Sequence, residues 1–173
     1  MIARPKEDRA MSKKIDIAAI EPVIGTLYPP PFSEPCLARE RKRLGEAAQL
    51  TQFGVNLLRL PPGAWSSQRH WHTESDELVY VVAGEVMLVT DDGPELLKAG
   101  DAAGFKAGDG NGHCLQNRSS ADALVLEIGT RVAADVVHYA DIDMVAPAGG
   151  KPAVYTRRDG TPYPDIRPRT PAG

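Results

Sequence analysis

Short apolar stretches recur through the middle of the chain, and turn-forming residues separate them in place of a helical repeat. Val55-Asn56-Leu57-Leu58-Arg59-Leu60 reads as a strand, stopped by Pro61-Pro62-Gly63. Gln68–His72 and Leu78–Val82 follow, then Gly84 as a turn and Glu85–Thr90 as the next strand. Asp91-Asp92-Gly93-Pro94 predicts a hairpin, Glu95–Lys98 continues the meander, and Ala99-Gly100-Asp101 is a further turn. From Phe105 a Gly-rich loop, Gly108-Asp109-Gly110-Asn111-Gly112, delivers the chain into His113–Asn117. Ala123–Ile128 and Val136–Tyr139 add two more strands. Closely spaced short strands without a long helical period predict an antiparallel all-β sandwich or barrel.

The flanks read differently. Residues 1–43 mix charge with Tyr28-Pro29-Pro30-Pro31-Phe32 and are expected to form an extended arm. The Glu, Arg, Lys and Ala of residues 36–49 predict a helical turn or two before Gly45. Residues 44–145 hold the strand pattern, and residues 146–173, rich in Pro, Gly and Arg, form an extended tail. Met11, in Met-Ser-Lys-Lys, is an alternative start to Met1.

At 173 residues the chain fits one domain with room for a sizeable core. A formal charge of −3 argues against broad nucleic-acid or anionic-membrane binding. Fifteen prolines and sixteen glycines supply the turns that short strands need. No apolar run approaches the ~20 residues of a membrane span, and the N-terminus lacks the apolar core of a secretion signal. A cytoplasmic protein is the default expectation. Two cysteines, Cys36 and Cys114, are too few for a disulfide framework, and Cys114 reads as a buried or interface thiol.

The chemistry gathers at Arg69-His70-Trp71-His72-Thr73-Glu74-Ser75-Asp76-Glu77. On a helix, residues two apart point to nearly opposite sides. On a strand they share a face about 6.6 Å apart, so His70 and His72 can converge on one ion. Glu77 and the later His113 would complete a set of three imidazoles and one carboxylate, suited to Zn, Fe, Mn or Ni. The plainer alternative is that these are satisfied polar groups in a barrel without metal. Val79 and Val81 share the strand face of Glu77, as a barrel interior requires, whereas Glu74 and Asp76 are expected to face solvent or cap a turn. Arg69 and Trp71 should point away from the histidines. Gln68 shares the face of His70 and is a candidate ligand-binding residue; Asn117 is another, against a structural amide role. Tyr80 and Glu127 are weaker candidates, Glu127 of interest as a base only if it faces inward. Gly108–Gly112 could hold an anion on backbone N–H groups, though simple turn geometry explains it. Arg157-Arg158 reads as a solvated pair.

These residues resemble the cupin superfamily of small double-stranded β-helix (jelly-roll) barrels. Gly63, His70, His72, Glu77 and Gly84 stand in the order of the first cupin motif, with one extra residue between Gly63 and His70. Gly100, Gly110, His113 and Asn117 follow the second, with Gly108 in place of the motif proline and a longer first spacing. From about Leu44 to Tyr163 the chain resembles a bacterial group of single-domain cupins. Most are uncharacterised, and some are labelled sugar-phosphate isomerases or sugar-binding cupins. The resemblance implies a cupin jelly-roll barrel with an extended N-terminal arm, a short helix and an irregular tail. It also implies one divalent transition metal on His70, His72, Glu77 and His113. A homodimer follows from it too, with the Pro-rich arm as a swapped element.

The expected function is binding or turnover of a small oxygenated metabolite, a sugar or sugar phosphate, in the barrel interior. An isomerase would need a phosphate-binding cluster of Lys, Arg, Ser or Thr, and the core offers no clear one. An Fe(II)-dependent oxygenase and a non-catalytic binding or sensor cupin are the alternatives. No helix-turn-helix pattern accompanies the barrel, which disfavours a DNA-binding regulator.

Overall fold

Alternation of side chains between core and solvent is plain along the strands, and it sets the architecture. The computed structural model describes residues 14–148 and 154–164 and the backbone of 170–171, so the alternative start at Met11 lies outside the described residues. In chain order the strands are β1 (Val23–Ile24), β2 (Glu40–Arg43), β3 (Phe53–Leu60), β4 (His70–His72), β5 (Glu77–Ala83), β6 (Glu85–Thr90) and β7 (Gly93–Lys98). They continue as β8 (Ala102–Phe105), β9 (Cys114–Gln116), β10 (Ala123–Thr130), β11 (Val137–Tyr139), β12 (Val145–Ala146) and β13 (Thr170–Pro171). A helical turn, α1, spans Leu44–Ala47.

A seven-stranded sheet runs β13-β1-β2-β3-β10-β5-β8, and two three-stranded sheets run β12-β11-β4 and β7-β6-β9. The strands pair antiparallel. Leu58 of β3, Val79 and Val81 of β5 and Val125 of β10 pack in one core with Val86 and Leu88 of β6, Leu97 of β7 and Leu115 of β9. One sheet thus faces another across an apolar interior, the double-stranded β-helix. Each such side chain contributes about 1.5–3 kcal/mol on full burial.

Beyond the buried Leu60–Ala123 pair, three cross-strand rows line the interior of the large sheet. The innermost is Arg41–Leu58–Val125–Val81 across β2, β3, β10 and β5. The next is Asn56–Glu127–Val79, and the last is Gly54–Gly129–Glu77–Phe105, reaching β8. Successive rows lie about 7 Å apart, two residues along a strand.

The hairpin predicted at Asp91-Asp92-Gly93 joins β6 to β7, with Thr90 paired to Gly93. Gly84, between β5 and β6, has φ +74°, and a Cβ there would come within 2.6 Å of the Asp122 carbonyl oxygen. Only glycine fits both demands.

The helical turn expected within residues 36–49 is present as α1, but it sits at Gly45 and not before it. Glu40–Arg43 is a strand on the edge of β3, and the single turn of α1 includes Gly45. Four charged residues favour a helix locally, but Glu40 pairs with Arg59 and Arg41 with Glu127 only when β2 lies flat against its neighbour. Residues 27–36 of the arm pack against the strand and loop segments around β11. Tyr28 and Cys36 are buried with Tyr139, Met144 and Tyr155, and Phe32 packs against that cluster. Arg158 is exposed, as expected of a solvated pair; its Nη2 also donates to the carbonyls of Tyr139 (3.2 Å) and Ile142 (3.3 Å), while the half-buried Arg157 lies over the Tyr163 ring. Cys36 and Cys114 are buried free thiols, both pushed up to about 11 by burial. Among the described residues no helix is long and apolar enough to cross a membrane.

Candidate metal centre

β4 is only three residues long, and its alternation puts Trp71 on one side and His70 and His72 on the other. β11 fixes its register, pairing Tyr139 with His70 and Val137 with His72. Trp71 stacks on His138 at 4.5 Å between ring centroids. Arg69 pairs with Asp91 and Asp141, so both residues that alternate with the histidines are held outside.

His113 enters from the far side of the Gly-rich loop. Two backbone hydrogen bonds tie it to His70, His70 N–H to His113 O at 3.0 Å and the reverse at 2.8 Å. Its ring stacks flat on Phe105, 3.5 Å between centroids and 1° between planes. Glu77 begins β5 directly opposite Phe105 and Gly129. The Glu77 side chain lies over Gly129, where a Cβ would meet Glu77 Cγ at an ordinary contact distance of 3.5 Å.

The four side chains converge. Glu77 Oε2 lies 3.0 Å from His113 Nε2, 3.4 Å from His72 Nε2 and 3.7 Å from His70 Nε2. Ligand atoms of His70, Glu77 and His113 all fall within 4.8 Å of one another, a cluster that could hold a metal ion. His72 stands outside that mutual set but shares the same carboxylate oxygen. The separations fit the donor set: two atoms each about 2.1 Å from an ion lie ~3.0 Å apart at a right angle and ~3.4 Å apart at a tetrahedral one.

The outer hydrogen bonds fix two ring tautomers. His70 Nδ1–H donates to the Gln68 carbonyl at 3.0 Å, and His72 Nδ1–H donates to Asp135 Oδ2 at 2.5 Å. Each bond leaves an Nε2 lone pair facing Glu77. His113 Nδ1 is buried without a hydrogen-bond partner among the described residues. Burial pulls the His70 imidazole down to about 3, outweighing the Glu77 carboxylate. Burial alone would raise Glu77, but the His113 hydrogen bond and the charges of the three rings bring it to about 2. If His72 holds an ion, Asp135→Asn is expected to lower divalent-cation affinity about 10–100-fold, since it takes a carboxylate from behind that ring. Chelator competition measures it.

Two candidates from the sequence lie elsewhere. Tyr80 alternates with Glu77 on β5 and projects from the outer face, 42% exposed beside Leu78 and Val82. Asn117 is buried, and its amide is spent on the backbone: Nδ2 donates to the Leu60 and Ala121 carbonyls at 2.7 Å, and Oδ1 accepts from Ser119. It is a structural amide. Gln68 is buried and donates to the Phe32 carbonyl at 2.7 Å, which ties the arm to the strand leading into β4. The polar loop is likewise self-satisfied, Asn111 bonding Asp91 N–H and Asp92. Asp135 and Phe105 were not singled out by sequence. Asp135 stands 63 positions from His72 and carries no motif; Phe105 could be found only once its pairing with Glu77 is known.

This barrel, with imidazoles and a carboxylate at its mouth, belongs to the cupin superfamily, and the Cupin domain family matches residues 56–129. A sugar phosphate isomerase of that superfamily from Silicibacter pomeroyi is 44% identical over 89% of this chain and 99% of its own, with a TM-score of 0.81. A protein from Acidithiobacillus ferrooxidans, provisionally named a sugar phosphate isomerase, is 28% identical over 77% of this chain and 81% of its own, TM-score 0.61. The polyketide cyclase RemF from Streptomyces resistomycificus shares the fold at 17% identity, over 69% of this chain and 80% of its own, TM-score 0.56. No curated protein matches the chain in sequence.

Proposed function

We propose that this protein is a metal-dependent cupin that takes a small oxygenated metabolite into its barrel interior, with sugar-phosphate isomerisation as its reaction. The observation that carries this reading is the convergence of His70, His72 and His113 on one oxygen of Glu77. The names of the two relatives supply the reaction class. A divalent ion at the cluster would polarise a carbonyl or hydroxyl oxygen of the ligand. The chain's own residues keep the donors in place: Asp135 holds the His72 ring, the Gln68 carbonyl holds His70, and Phe105 fixes the plane of His113. Val79 and Val81 keep the wall beside Glu77 apolar.

The test is elemental analysis of protein purified without chelator, then loading with Zn, Mn, Ni or Fe(II) and assay of aldose–ketose interconversion on pentose and hexose phosphates. Retention of one ion per chain with turnover of one such pair is the expected result. Refusal of all four cations would overturn the metal reading, and loaded protein silent on every phosphate would overturn the isomerase.

A further inference from the structure

Arg41 and Glu127 form an ion pair inside the barrel, beside the metal cluster. Arg41 Nε and Nη2 bind Glu127 Oε2 and Oε1 at 2.7 and 2.8 Å, and Asn56 Nδ2 reaches the same Oε2 at 3.4 Å. Glu127 lies opposite Val79 on the interior face of β10, and Glu77 lies opposite Gly129 two residues along. The two glutamates are therefore diagonal neighbours, with Cα atoms about 7–8 Å apart.

Packing alone gives no reason for this pair. The neighbouring interior positions Leu58, Val125 and Val81 are apolar and fully buried. An apolar residue at position 41 would extend their row, and a buried ion pair is at best a weak source of stability. Both side chains keep contact with solvent, 19% and 20% exposed. The bidentate contact uses one edge of the guanidinium, and Nη1 has no hydrogen bond to a described residue.

We propose that Arg41, oriented by Glu127 and Asn56, is a specificity-determining residue that binds the oxyanion, carboxylate or phosphate, of a small ligand whose other oxygens reach the histidine cluster. The proposal rests on the reading of the barrel interior as the ligand site. It deepens that reading by supplying an anion-binding residue from β2, outside the span matched by the family. An unoccupied edge of a planar guanidinium is suited to such a group, accepting it through parallel N–H donors.

Calorimetric titration with glycerol, glycerate and glycerol 3-phosphate tests it, using metal-loaded and metal-free protein. One anion at least should bind ten-fold or more tightly than glycerol in both forms, and which anion wins separates carboxylate from phosphate. Arg41→Gln should erase that preference, Arg41→Lys should keep part of it, and cation affinity should be unchanged in both. Equal binding of all three compounds by wild-type protein would overturn the subsite without any variant having to fold. So would an undiminished preference in folded Arg41→Gln. A protein that refuses metal yet keeps an Arg41-dependent anion preference would sink the metal reading and leave the subsite standing. Metal bound normally with no anion preference would do the reverse.

Discussion

Glu77→Gln is expected to weaken divalent-cation binding by more than the roughly 10–100-fold that loss of an outer partner costs. The reason is geometric. One oxygen of Glu77 is the shared neighbour of all three ring nitrogens, so its loss touches every other member. Glutamine keeps the shape and still offers His113 a carbonyl oxygen to bond, but it removes the charge that compensates a dication. Metal-free Glu77→Gln should also melt below metal-free wild type at neutral pH, since a carboxyl held down to about 2 stabilises the fold in its charged form. Titration with Zn or Mn against a chromogenic chelator, beside a melting curve without metal, separates the two effects. Unchanged cation affinity in the variant would remove Glu77 from the ligand set.

The largest effect on stability should come from Leu58→Ala. Leu58 is wholly buried at the centre of the Arg41–Leu58–Val125–Val81 row, with a strand on either side. Truncating a fully enclosed leucine costs about 2–5 kcal/mol, the upper part of the range applying where neighbours cannot collapse into the gap. Paired strands on both sides leave little room for such collapse. For a chain of this size that corresponds to a fall in melting temperature of about 4–20 °C. Urea unfolding of metal-free protein reads it, and a loss below about 1 kcal/mol would mean that the interior beside Arg41 is loosely packed.

Much of the site could be read from the chain, and particular residues explain why. His70 and His72 are informative because a strand period of two leaves them one common face. The position of Glu77 beside Val79 and Val81 gives the parity of β5. That same parity places Tyr80 on the outer face, away from Glu77. Strands rich in Val, Leu and Ile were visible, as was the Asp91-Asp92-Gly93 hairpin. β8, with the sequence Ala-Ala-Gly-Phe, was hidden because Ala and Gly carry little strand preference; its pairing with β5 makes it a strand. β2 was hidden for the opposite reason, its four charged residues favouring a helix until tertiary partners arrive. Asp135 with His72 and Arg41 with Glu127 join residues 63 and 86 positions apart, and no local pattern announces such pairings.

The grip of Arg69 on the Asp91 turn and on Asp141 makes the ring geometry of the centre answerable to ions in the medium. β11 and the backbone bonds to His113 set the register of β4, and the guanidinium that braces it from outside meets carboxylates that are more than half exposed. Strong electrolyte screens that grip while leaving the interior donors shielded. The disposition of the two rings is thus set partly from the far surface of the barrel.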